Sequence, residues 1–269
     1  MEKDELYKSS DDVSVGLLPR FIKFLLKSKL LKMNGRYSPK GIYEYIIART
    51  KYTDHIFKTA IEEGIEQILI LGAGYDSRGI RLLQADSNTR VYELDTPVVQ
   101  NGKTKQLARR GIHKPENNIY IPVDFLKEDI RNNLLESDYS FQKRTLFILE
   151  GLIMYLTQES LDRLFGIFRE CSASGSLILF DYVYGSVLRQ ENRYYGEKEI
   201  YRTVEKAGEK WTFGIEERTI EQFLTAQGFE LVEELGTSSI EERYFKNHEG
   251  KIVANVNGTH SIVLAKKGN

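Results

Sequence analysis

The stretch ILILGAGYDSRGIRLL, residues 68–83, constrains the fold of this chain more than any other. Ile68, Leu69, Ile70 and Leu71 read as a strand buried on both faces, the habit of a parallel sheet. Gly72 and Gly74 then supply a tight turn without a Cβ, and Arg78, Ile80, Leu82 and Leu83 resume with helix-like spacing. Strand, glycine turn and helix N-terminus make a corner where bare backbone and free N–H groups face a ligand, as in nucleotide-binding sheets.

The alternation continues downstream. RVYELD (90–95), NIYIPVDF (118–125), TLFILEG (145–151) and SLILFDYVY (176–184) read as strands, separated by helical stretches such as Pro97 to about Arg110. Thr157 is placed to cap the helix TQESLDRLFGIFRE. This pattern predicts an α/β, doubly wound, mostly parallel sheet. In the tail, Thr219 and Gln222 suggest a capping box for TIEQFLTAQ, with Gly228 as its stop. FELVEEL and SIVLAKK follow without a legible helix between them, so a terminal antiparallel hairpin is expected. Upstream, a helix is expected from about Pro39 to Glu63, ended near Gly64. The whole chain, 1–269, reads as one domain: a helical lid over 1–64 and a Rossmann-like core over 65–269 with an insert at about 183–214.

Composition excludes several classes. A net charge of -1 gives no footprint for nucleic acid. Cys171 is the single cysteine, which leaves no intramolecular disulfide and no cysteine-rich zinc site, and no metal is expected. No apolar run approaches the ~20 residues of a membrane span. The opening MEKDELYKSSDDVSV has acids and hydroxyls where a signal peptide needs a basic start and an apolar core, so a cytoplasmic location is expected. GLLPRFIKFLLKSKLLK (16–32) is a basic amphipathic segment, read as a helix docked on the domain, with an anionic partner or a membrane surface as the other option.

Three ligands suit the glycine corner. A nicotinamide dinucleotide wants a third glycine where Ser77 stands, and a P-loop wants a Gly-Lys-Ser/Thr ending that does not follow Gly74. S-adenosylmethionine has no phosphate and needs only the short turn. Its ribose diol wants a carboxylate at the end of the second strand, where Asp95 stands with Glu93 nearby. Asp124 and Phe125 follow the third strand, placed to accept from the adenine amino group and to cover the ring. Glu150 follows the fourth, placed to accept from the cofactor ammonium.

The pieces IIARTKYTDHI (46–56), LILGAGYDSRGIRL (69–82), VYELDTPVVQNGK (91–103), VDF (123–125) and LEGLIMYLTQESLDRLF (149–165), with the tail WTFGIEERTIEQFLTAQGFEL, occur in an order and spacing that resembles the leucine carboxyl methyltransferase family. That family includes protein phosphatase methyltransferases and polyketide O-methyltransferases. The resemblance covers roughly residues 40 to 266 and implies a class I methyltransferase using S-adenosyl-L-methionine. It places Arg49 on the arginine that pairs with the cofactor carboxylate and Gly72, Ala73 and Gly74 on the cofactor loop. Asp95, Asp124, Phe125 and Glu150 fall on the acids and ring named above. Asp76 and Arg78 also match the family loop, Asp76 as a helix N-terminal acid and Arg78 as its partner. A lysine near the cofactor in the phosphatase enzymes has no counterpart here.

The acceptor is expected beyond the fifth strand, where Asp181 and Tyr182 stand as catalytic candidates and Tyr182 matches a family tyrosine. Tyr194, Tyr195, Tyr201, Trp211 and Phe213 follow, as cover for a flat acceptor or as lid packing. A carboxylate acceptor needs no base, whereas a hydroxyl does. His55, His113, His248 and His260 form no recognisable constellation, which favours a carboxylate of a small molecule or peptide. The alternatives are a hydroxyl of a polyketide-like molecule and a non-catalytic cofactor-binding regulator.

Overall fold

The computed structural model describes Leu6, Tyr7, Asp11, Val13 and residues 39–206 and 208–268. The basic segment 16–32 lies outside the described residues. Seven strands form one sheet: β1 (Gln67–Leu71), β2 (Arg90–Asp95), β3 (Asn118–Pro122), β4 (Thr145–Leu149), β5 (Leu177–Val183), β6 (Phe229–Leu235) and β7 (His260–Lys267). Their order is β3-β2-β1-β4-β5-β7-β6. β1 to β5 are parallel, and β7 lies antiparallel between β5 and β6. This is the mostly parallel α/β sheet with an antiparallel hairpin that the strand pattern predicts.

β1 and β4 are buried along their whole length, which is why both read as uninterrupted apolar runs. Each face of the sheet carries its own core. One gathers Leu69, Phe147, Phe165, Phe168 and Phe180 under helix α5 (Gln158–Glu170), capped as predicted by Thr157, whose hydroxyl accepts from Ser160 N–H. The other packs Ile68, Ile70, Ile148 and Leu179 against α1 (Ile42–Glu62). Between them in chain order stand α2 (Arg78–Arg81), α3 (Pro97–Ala108) and α4 (Ile130–Glu136). Glycine turn and β4 terminus both lie where the strand order reverses, between β1 and β4, and a crevice at that edge is the usual ligand site of an open sheet.

After β5 the chain runs through α6 (Gly185–Leu188) and α7 (Glu197–Lys206) and returns beside its point of departure, with Ile215 N–H donating to Val183 O at 3.1 Å. On the way back Thr212 N–H donates to Met154 O at 2.8 Å. That bond holds Trp211 against the 3-10 turn Ile153–Tyr155 that follows β4.

Two local expectations are corrected. Thr219 does not cap α8 (Ile220–Ala226) with its side chain; its hydroxyl donates backwards to Glu216 O at 2.9 Å, the local competition to which threonine is prone. And a helix does stand between β6 and β7: α9 (Thr237–Tyr244), in which Ile240 alone is buried, so no apolar period announces it.

The start of α1 is tied to the segment before β7. Asn257 N–H donates to Gly41 O at 2.9 Å and its side-chain amide donates to Lys40 O at 2.9 Å. Gly41 sits at φ 71°, and a Cβ there meets Asn257 N at 2.3 Å. Gly41→Ala is therefore expected to lower stability by about 2–4 kcal/mol, from left-handed strain plus forced separation of the two segments, read as a fall in the urea midpoint.

Candidate functional site

Tyr45, Arg49 and Thr53 recur at four-residue spacing and so lie on one stripe of α1, the stripe that crosses the sheet edge. Arg49 reaches from there to two acids at the ends of adjacent parallel strands. Its Nη1 lies 2.6 Å from Asp181 Oδ2 and its Nε 3.2 Å from Glu150 Oε1. Asp181 is fully engaged: Tyr45 Oη donates to it at 3.0 Å and Gly151 N–H at 2.5 Å. Burial opposes the Arg49 charge, but Asp181 and Glu150 outweigh it and hold the guanidinium pKa above its ordinary value.

Glu150 shares its second oxygen with Arg78, whose Nη2 lies 2.7 Å away. Burial pushes the Glu150 carboxyl up, and Arg78 and Arg49 together pull it below the usual range. Arg78 is also held by Asp76 at 2.5 Å and Asp54 at 2.8 Å. Asp76 accepts from Arg78 N–H at 2.7 Å as well, so it orders the start of α2 with Arg78 as its partner, as expected from the sequence. Asp54 takes Arg81 at 2.6 Å, and Ser77 Oγ donates to Asp11 at 2.7 Å.

These residues surround a pocket of about 290 Å³ lined by the turn Gly72–Ala73, Tyr75, Asp76, Ser77 and Arg78, with Thr50, Glu150 and Asp11 on the other sides. The turn needs its glycines: Gly72 has φ 62° and Gly74 φ 50°. Gly74 N–H donates to Asp95 Oδ2 at 2.7 Å, and Thr96 N–H to the other oxygen at 2.7 Å. Asp95 is thereby fixed at the mouth of the turn. Among the described residues, five carboxylates (Asp11, Asp54, Asp76, Glu150, Asp181) pair with three guanidiniums (Arg49, Arg78, Arg81) and Asp95 stands on backbone N–H groups, an excess of negative charge suited to a cationic ligand.

Arg49 Nε, 3.2 Å from Glu150 Oε1, is buried without a well-aligned hydrogen bond, which leaves a donor for an anionic group such as an amino acid's carboxylate.

Other predicted residues lie elsewhere. Phe125 is buried, its ring tip close enough to Gly72 to meet a Cβ built there at 3.8 Å. Asp124 is half-buried and paired with Lys127 at 2.8 Å, outside the pocket. Glu93 is buried in an ion pair with Lys103 and accepts from Asn118 at 3.1 Å, which removes it from the ribose position. Tyr182 points to the opposite face from Asp181, as neighbours on a strand must, and its hydroxyl donates to Glu234 at 2.7 Å. It does not line the pocket, and burial together with Glu234 raises its pKa, which argues against an acid–base role. Asp181 is committed to Arg49, Tyr45 and Gly151. Sequence reading missed Thr50, Asp54, Arg81 and Asp11; Asp54 carried a legible signal only as an acid on the same helix, five residues after Arg49.

It also missed a constellation at His260. Three of the histidines are exposed, but His260 is buried, stacked on Tyr45 with ring centroids 4.6 Å apart and edge-on to Trp211 at 5.4 Å. Burial is the main cause that lowers its pKa to about 4, with Asp181 opposing and Arg49 adding. The unfolded imidazole takes up a proton near pH 6.5 and the folded one near 4, so the unfolded state binds more protons between those values. Stability should therefore fall by up to about 3 kcal/mol as pH drops from 6.5 to 4, and His260→Gln should flatten that part of the profile in urea titrations at successive pH values.

With this geometry in view, comparison with known proteins is decisive for the family. A family model described as leucine carboxyl methyltransferase matches residues 17–168, more than half of the chain. The chain belongs to the leucine carboxyl methyltransferase family. A provisionally named S-adenosyl-L-methionine-dependent methyltransferase of Mycobacterium avium is 37% identical over 145 residues, 54% of this chain and 46% of that protein. One of the same name from Mycobacterium marinum is 38% identical over 141 residues, 52% and 46% of the two chains. The match thus spans about half the length of these curated relatives. Among solved structures, a provisionally named methyltransferase from Thermobifida fusca covers 98% of this chain and 96% of its own, with TM-score 0.63 and 18% identity. A DUF574 family protein from Streptomyces avermitilis covers 82% of each chain at TM-score 0.55 and 15% identity. At those identities the likeness speaks for the fold of this leucine carboxyl methyltransferase family member.

Proposed function

We propose that this protein binds S-adenosyl-L-methionine at the glycine turn and transfers its methyl group to an oxygen acceptor. The observation that carries this reading is the acid-rich pocket with Asp95 fixed on the turn and Arg49, its Nε without an aligned hydrogen bond, beside Glu150. S-adenosylmethionine fits the residues present: its two cations and one carboxylate give it one net positive charge for a site in acid excess. Arg49 would take the carboxylate, Glu150 the ammonium and Asp95 the ribose hydroxyls, with Phe125 and Asp124 on the adenine side. When bound, it supplies an activated methyl carbon on a sulfonium; the protein binds and orients the two partners. A nicotinamide dinucleotide fits poorly, because its pyrophosphate would meet paired arginines and a surplus of carboxylates, and Ser77 stands where the third glycine belongs. The chain would form one domain, a core over 65–269 and a lid over 1–64 that contributes Arg49 and Thr50 to the cofactor site. No helix among the described residues is long and apolar enough to cross a membrane.

The acceptor oxygen follows from what the site holds. A carboxylate of a small molecule or peptide is ionised at neutral pH and needs no base, and among the described residues no histidine lines the pocket at the glycine turn. The second reading, a hydroxyl acceptor, is favoured by His260.

Calorimetric titration with S-adenosylhomocysteine and with NADH tests the cofactor assignment. The homologue is expected to bind and NADH to give no heat of binding; the reverse would overturn the reading. Asp95→Ala should weaken the homologue by about 1.5–3 kcal/mol, since two hydroxyls and the Gly74 N–H lose a charged acceptor. Arg49→Lys keeps the charge but loses the planar fork, and should weaken binding while circular dichroism stays that of the parent.

A further inference from the structure

The stretch that returns from α7 to β5 is pinned at the end of β4. Thr212 N–H and Phe213 N–H donate to Met154 O at 2.8 and 3.2 Å, and the Thr212 hydroxyl donates to Leu156 O at 2.9 Å. Tyr155 Oη donates to Glu209 Oε2 at 2.9 Å, and the Trp211 indole N–H is turned to the same tyrosine oxygen. Ile200 and Val204 of α7 pack against Trp211 from the other chain segment. Trp211 is therefore a buried, fixed wall.

A cavity of about 380 Å³ lies against that wall, between α7 and the returning stretch. Tyr201, Val204, Glu205, Glu209, Lys210 and Trp211 line it. Its size is that of a small-molecule site, about 300–1,000 Å³. Two aromatic rings and a valine give it apolar walls; two acids and one lysine set its charge. Lys210 pairs with neither acid, and the Glu205 carboxylate has no partner among the described residues. Glu209 spends one oxygen on Tyr155 and has the other to offer. Ring faces and acids without a counter-ion attract a cation and disfavour a carboxylate.

The cavity shares no lining residue with the pocket at the glycine turn, yet it stands on the same edge of the sheet. Its wall is tied to Met154 and Tyr155, which follow Glu150 after β4, and the returning stretch rejoins β5 at Val183, just beyond Asp181. A row of packed rings, Trp211, His260 and Tyr45, runs from the cavity wall to Asp181 in the clamp.

We propose that this cavity is the recognition subsite of the methyl acceptor and that it takes the ammonium end of a small apolar amine. The nitrogen sits between Glu205 and Glu209, and the hydrocarbon lies against Trp211, Tyr201 and Val204. The reacting oxygen belongs to the other end of the molecule, so the ammonium is a handle and takes no part in the transfer. That the cavity serves the acceptor rests on the methyl-transfer reading; that it binds an amine rests on the cavity itself.

Trp211 is the only tryptophan of the chain, so tryptophan fluorescence reports on this cavity alone. The full chain, saturated with S-adenosylhomocysteine, is titrated with phenethylamine, phenethyl alcohol and hydrocinnamate, which share a ring and a tether and differ in charge. The amine is expected to give a saturable change in emission, the alcohol the same change at about tenfold higher concentration, and the carboxylate none in that range. Glu205→Gln, at an exposed position with no partner to lose, should weaken the amine about threefold to fivefold and narrow its lead over the alcohol. Glu209→Gln should do the same independently. Affinity for S-adenosylhomocysteine should stay that of the parent in both variants. A response that never saturates, equal responses to amine and carboxylate, or an amine affinity that neither variant changes would overturn the proposal. Failure of S-adenosylhomocysteine to bind would instead remove the methyl-transfer reading, and titration of the free protein with the amine would still decide the cavity.

Discussion

One guanidinium holds this site together. Arg49 leaves α1 and pairs with a carboxylate just after β4 and another within the C-terminal half of β5, joining a helix to the centre of a parallel sheet at the point where strand order reverses. An ion pair in a partly dry place is weak evidence for stability, because burial of both charges offsets most of their attraction. Its consequence is geometric. Asp181 is locked by Arg49, Tyr45 and Gly151 N–H together, and this fixes the turn after β4 on which Glu150 stands. Arg78 grips the other Glu150 oxygen from the glycine turn, so both walls of the pocket are referred to the same carboxylate.

Much of this was legible in the chain because parallel strands bury both faces and therefore read as unbroken apolar runs. The run before Gly72 and the run before Glu150 place two site residues at strand ends with no further information. Asp76 and Arg78, two residues apart across a helix start, have little choice of partner. What escaped was set by contacts distant in sequence. His260 opens a strand at the far end of the chain and meets Tyr45 and Trp211 only after β7 inserts beside β5. Tyr182 misled for a local reason. A strand alternates faces, so Asp181 and Tyr182 cannot both serve the site, and Arg49 lies on the side of Asp181.

The pocket at the glycine turn is in acid excess, and that balance suits a ligand that arrives with a net positive charge.

The claim on which the rest depends is that the cofactor lies across the glycine turn with its amino-acid end between Arg49 and Glu150. A crystal structure of the protein grown with S-adenosylhomocysteine tests it most directly. The account predicts ribose hydroxyls on Asp95 and the carboxylate within hydrogen-bond reach of Arg49 Nε, with Asp181 still bound to Gly151 N–H. A homologue seated away from Gly72 to Gly74, or one whose carboxylate leaves Arg49 untouched, would contradict it.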